Sequence, residues 1–237
     1  MKVRAFLVGV GFLCSMSVAS AAEPLDVLKG ANPALYALYN NYKGYHEGLG
    51  AYAARQGFRR PYEHLATVVH ELIHIDSSVH QGFYIEGTYY EPYLAAGAWP
   101  SLNNEQVRPY LTDQERSSNI YRLYVLNTPS NNLGNIVDEI NAYTHVAPLV
   151  CSNEPESAEK QSRNLLGFLH LVEGYLRTLR TRLPGEYQRL REHREARGAL
   201  TLVLERAWAA LRVCGVREGG MGGEARYFRG DIVKTGV

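Results

Sequence analysis

Two of the eight histidines in this 237-residue chain stand four apart, in His70-Glu71-Leu72-Ile73-His74. On a helix, residues four apart share a face and lie about 6 Å apart along the axis, so both imidazoles can reach one metal ion. Glu71 then points at the open side of that metal, where it can take a proton from an activated water and act as general base toward a carbonyl carbon. Zinc is the ion such a site takes, because it lowers the pKa of a water toward neutrality. A random arrangement of this composition would show the pattern in about 2 chains in 100, so the surroundings must decide. They favour chemistry: Leu65-Ala66-Thr67-Val68-Val69 and Leu72, Ile73 and Ile75 make the segment apolar nearly all round, and burying two imidazoles and a carboxylate there without partners would cost several kcal/mol.

The segment resembles the zincin superfamily of zinc metallopeptidases, with Thr67, Val68, Leu72, Ile73 and Ile75 agreeing with the extended signature and Asp76 departing from it. The resemblance spans about ten residues and implies a fold core and a reaction class. It leaves two candidates for the third ligand that a tetrahedral catalytic zinc needs. His80 lies ten residues after His70, the metzincin spacing, but Ser77 stands where that signature has glycine. If the helix simply continued, His80 would sit about 15 Å beyond His70 and off its face. The only methionine after residue 20, Met221, lies far downstream. The other candidate is Glu139 in Asp138-Glu139-Ile140-Asn141-Ala142-Tyr143, which looks like the second helix motif of the gluzincins, with small Ala142 on the same face allowing close helix approach. Glu139 is the preferred third ligand and His80 the alternative. Asp76, Asp138 and Asn141 are the candidates to support a ligand histidine from behind. Tyr143, His145, Tyr89 and Tyr90 are the candidates to stabilise an oxyanion. His64, six residues before His70, falls on the opposite side of the helix.

These residues need helices to position them. Pro61 to about Asp76 reads as a buried helix, and a second runs from an Asn135 cap to near Pro148. Phe83-Tyr84-Ile85 and Thr88-Tyr89-Tyr90 around Glu86-Gly87 read as a hairpin, residues 91–119 as mostly loop, and Ile120–Leu126 as either strand or helix. A long amphipathic helix from about Pro155 to Leu183, broken by Pro184-Gly185, pairs with another from Glu186 to Val213. Gly48 to Arg60 shows no clear period. The expected fold is α+β, mainly α, with a zincin-like core, a small sheet and a C-terminal helical hairpin. The expected division is a signal peptide at 1–21, a catalytic region at 22–150, and a hairpin with a glycine-rich tail at 151–237.

Lys2 and Arg4, the uncharged run Ala5–Val18 and Ala19-Ser20-Ala21 are the signs of export to the periplasm or beyond, with cleavage after Ala21 or Ala22. The 14-residue run is too short to span a bilayer core about 30 Å thick, so no stable membrane anchor is expected after cleavage. Leu13 before Cys14 argues against a lipoprotein. Cys151 and Cys214 remain, and an oxidising compartment predicts that they are joined. Charges balance, with 25 Lys and Arg against 24 Asp and Glu, which offers nucleic acid no excess to exploit. The arginines from 177 to 197 interleave with Glu186, Glu192 and Glu195 as a solvated face. The expected function is a zinc-dependent hydrolase cleaving a peptide or protein substrate, such as a cell-wall peptide. The alternative is a non-catalytic binder of glycan or peptide through the stripe Tyr36, Tyr39, Tyr42 and Tyr45.

Overall fold

A computed structural model describes residues 23–95 and 97–216. The signal segment, Cys14, Met221 and the tail from 217 onward lie outside the described residues. In chain order the helices and strands are α1 (Pro24–Ala31), α2 (Pro33–Asn41), α3 (His46–Arg55), α4 (Pro61–His80), β1 (Phe83–Ile85), β2 (Thr88–Tyr90), β3 (Ser101–Asn103), α5 (Asn104–Val107), α6 (Asp113–Arg116), α7 (Asn119–Tyr121), β4 (Ser130–Asn132), α8 (Leu133–Asn153), α9 (Pro155–Arg182), α10 (Pro184–Glu192) and α11 (Arg194–Val213). A π-helical turn, Arg122–Leu126, follows α7. The fold is α+β and mainly α, as expected. Two antiparallel ribbons supply the strands, β1 with β2 and β3 with β4.

Helix α8 is the centre of the molecule. One face gives Ile136, Val137 and Ile140 to a core shared with α9 and α11. Its other face gives Ala142, Val146, Leu149 and Val150 to a second core, where Leu65, Val68, Val69, Leu72 and Ile73 of α4 meet α1 and α2. Burial on both sides explains how α8 carries Pro148 in its interior, although proline there forfeits a backbone hydrogen bond at a cost of about 3 kcal/mol. The helix therefore continues past the expected stop. It also begins earlier than Asn135, because the Asn132 side chain accepts from the Gly134 N–H at 2.7 Å and caps it.

Several ties fix α4 against α8. Its first turn lacks a side-chain cap of its own, and the Glu154 carboxylate at the end of α8 accepts from the Tyr62 and Glu63 N–H groups at 2.9 and 3.1 Å. Beyond the other end of α4, Asn141 donates to the Tyr84 carbonyl at 3.0 Å, anchoring the hairpin to α8. Ala142, fully buried, lets the two helices approach. The expected disulfide is present: Cys151 joins Cys214, tying α8 to the end of α11.

Among the described residues the C-terminal helices number three, because His193 caps a separate α11 after α10. The expected boundary between 150 and 151 falls inside α8. Gly48 to Arg60, which showed no period, holds most of α3. Ile120–Leu126 is helical rather than extended. Among the described residues no helix is long and apolar enough to cross a membrane.

Candidate metal centre

Helix α4 presents His70 and His74 one turn apart, and α8 brings Glu139 to them. His74 Nε2 lies 3.0 Å from His70 Nε2. Glu139 Oε2 lies 3.3 Å from His70 Nε2 and 3.8 Å from His74 Nε2. One ligand atom from each residue falls within 4.8 Å of the other two, and among the described residues these three form the one group of this kind. Ligands bonded to zinc at 2.0–2.1 Å in a tetrahedron stand about 3.3 Å apart. The donor set and its spacing fit such an ion. The third-ligand alternative is elsewhere: α4 continues unbroken to His80, whose Nδ1 bonds the Asp76 carbonyl at 3.0 Å and whose ring stacks on Tyr89. Serine at position 77 lets the helix run on, and the turn comes only at Gln81, with φ 53°.

Behind His74, Asp138 Oδ2 sits 2.6 Å from Nδ1 and accepts from the Tyr93 hydroxyl at 2.8 Å. With the Nδ1 proton held there, His74 would give its Nε2 to a cation shared with His70 and Glu139. Of the three supporting candidates, Asp138 occupies the place. Asn141 holds Tyr84, and Asp76 takes the Tyr42 and Tyr89 hydroxyls at 2.8 and 2.9 Å. Glu139 has its own support, since the Tyr124 hydroxyl donates to Oε1 at 2.7 Å and leaves Oε2 to the histidines.

The electrostatics of this group favour positive charge. Burial pulls the His74 pKa down, but the Asp138 hydrogen bond and the charges of Asp138, Glu139 and Glu71 outweigh it and raise it to about 9. Burial raises the Glu139 pKa, and hydrogen bonds and charge from His70, His74 and Tyr124 reverse that, lowering it to about 2. A field that stabilises an imidazolium beside a carboxylate stabilises a bound cation for the same reason.

His70, Glu71 and Glu139 open onto a cavity of about 650 Å³, lined also by Tyr52, Tyr124, Tyr143 and part of α9. Among the described residues Glu71 makes no hydrogen bond or ion pair, so its carboxylate is unengaged at the cavity wall. Tyr143 is one turn beyond Glu139, its ring edge-on to His70 with centroids 4.8 Å apart. Asn164 Nδ2 donates to its oxygen at 3.3 Å, which leaves the hydroxyl proton free. Burial first, and Glu139 next, push Tyr143 well above the usual tyrosine range, so it stays a donor.

The remaining oxyanion candidates do not reach this cavity. His145 is buried on another face of α8, its Nδ1 against the Asn141 carbonyl at 2.8 Å and its ring beside Tyr84. Burial, then Arg206, lower its pKa to about 4, and it is absent from the cavity lining. Tyr89 is committed to Asp76, and Tyr90 lies exposed beside it on β2. His64 sits against the Phe58 carbonyl at 3.2 Å. In the tyrosine stripe, Tyr36, Tyr39 and Tyr42 pack on the core around α4, and Tyr45 is exposed.

Sequence reasoning missed Tyr124 and Tyr52. The Tyr124 carbonyl accepts from Asn104 Nδ2 at 2.9 Å and from Asn131, which holds the π-helical turn in place. Gly167 lets α7, which leads into that turn, close on α9, for a Cβ there would come within 2.7 Å of Ile120. Comparison with protein-family models, curated proteins and solved structures finds no significant match.

Proposed function

We propose that this chain is an exported zinc-dependent hydrolase, a gluzincin-like metallopeptidase or amidase acting on a peptide or protein substrate such as a cell-wall peptide. One observation carries the reading: three ligand atoms from His70, His74 and Glu139 converge beside a cavity whose wall also holds the unengaged Glu71 carboxylate. The N-terminal signal pattern and the disulfide support export.

His70, His74 and Glu139 would hold the zinc, which supplies Lewis-acid polarisation and brings the pKa of a water toward neutrality. Glu71 takes a proton from the attacking water as its oxygen bonds to the substrate carbonyl carbon. The same carboxylic acid returns the proton to the nitrogen as the C–N bond breaks, so the base is regenerated. Tyr143 donates a hydrogen bond from its hydroxyl to the carbonyl oxygen as negative charge grows there and keeps its proton throughout. Asp138 and Tyr124 keep His74 and Glu139 oriented.

Glu71 to Ala should lower hydrolysis of any accepted peptide by about 10²- to 10⁴-fold while zinc stays bound. Unchanged hydrolysis with zinc retained would contradict the proposal.

A further inference from the structure

The charges around the cavity do not cancel, and the remainder has a sign. Its charged lining consists of Glu71, Glu139, Arg122 and Lys160, beside His70. The two carboxylates would offset a divalent ion held by the candidate ligands. Lys160 is offset separately, because its Nζ lies 3.3 Å from the buried Glu63 carboxylate and over the Phe58 ring at 4.1 Å. Arg122 makes no ion pair among the described residues. Its exposed side chain donates through Nη2 only to Asn119 Oδ1, at 3.0 Å, which leaves other N–H groups unused.

The Arg122 backbone is also tied to the candidate metal centre. It is the first residue of the π-helical turn whose Tyr124 donates to Glu139, so one short element carries both the cation and the hydroxyl that orients Glu139. Insertions of this kind in helices are frequent at functional sites. Guanidinium groups are suited to carboxylates because two parallel N–H groups match two oxygens.

We propose that Arg122 selects the substrate: a peptide bearing a carboxylate near the bond to be cut, bound with that carboxylate on the guanidinium. The carboxylate comes either from a free C-terminus or from an acidic side chain. Gln56 and Asn164, on the same cavity wall, offer donor and acceptor pairs that match a peptide main chain. This selection rests on the hydrolase reading above, but its test does not depend on turnover.

The test uses the full mature chain carrying Glu71→Ala, which prevents cleavage, and titrates three peptides by calorimetry. These are acetyl-trialanine with a free carboxylate, its C-terminal amide, and an acetylated Ala-Glu-Ala amide. One carboxylate peptide should bind about tenfold more tightly than the neutral amide, and which one it is separates the two sources. Adding Arg122→Gln should bring all three within about twofold of one another, with zinc content and affinity for the neutral amide unchanged. Equal affinity for all three in the Glu71→Ala protein overturns the proposal, as does failure of all three to bind. So does a preference that survives Arg122→Gln, which would put the carboxylate on Lys160 or on the metal. Zinc content and hydrolysis, read separately, report on the hydrolase proposal itself.

Discussion

Helix α4 carries two clusters of histidine, carboxylate and tyrosine about one to two turns apart, and they are built to opposite ends. In the C-terminal one, Asp76 receives a hydroxyl proton on each oxygen, from Tyr42 and Tyr89, and the single imidazole of His80 stacks on Tyr89. Its acceptors already have donors, and it clamps α2 and the β hairpin onto α4. In the other, hydrogen bonds from the rear hold His74 and Glu139, through Asp138 and Tyr124, while two imidazole nitrogens and a carboxylate oxygen face one another in front. Three electron-rich atoms crowded together call for a shared positive charge. The same residue types therefore make a structural lock where donors and acceptors match, and a candidate cation site where acceptors are left to converge.

Four substitutions separate the two clusters. Asp76→Ala should strip the closed cluster, leaving two hydroxyls without their acceptor at a cost of about 3 kcal/mol, while bound zinc is unaffected; urea denaturation beside a zinc assay reads both. Asp138→Asn should do the reverse, weakening zinc by about 10- to 100-fold in a chelator competition. Tyr124→Phe removes one charge-assisted hydrogen bond from Glu139 and should weaken zinc by about tenfold, with secondary structure unchanged by circular dichroism. The smallest effect is expected from His80→Ala, below about 1 kcal/mol in urea. If His80→Ala weakened zinc more than Asp138→Asn does, the assignment of the two clusters would be reversed.

The open cluster was largely legible in the sequence, and the reason is local periodicity. His70 and His74 share a helix face by spacing alone, and Glu139 was marked by the small Ala142 after it. Asp138 and Tyr143 followed as neighbours on the same helix. Tyr124 was not legible, since its hydroxyl reaches Glu139 only because a π-helical turn held by Asn104 and Asn131 aims it there. Such a turn has no periodic signal. His145 illustrates the opposite error, because proximity in sequence to Glu139 says nothing about sharing its face: six residues on, the helix has turned it away.

The fold divides similarly. The β1–β2 hairpin was readable from aromatic and β-branched residues around Glu86-Gly87, and the disulfide from the cysteine count. The β3–β4 ribbon pairs Ser101-Leu102-Asn103 with Ser130-Asn131-Asn132, residues with little strand preference, so its pairing depends on tertiary context. Pro148 suggested a helix end that burial of α8 on both faces overrides.

The central claim, that the convergent group on α4 and α8 holds a metal, is tested most directly by zinc per chain in the purified protein beside Glu139→Ala and His80→Ala. The account predicts about one zinc in the wild type and in His80→Ala, and close to none in a folded Glu139→Ala. A folded wild type that takes up no zinc, or zinc lost with His80→Ala and kept with Glu139→Ala, would contradict it.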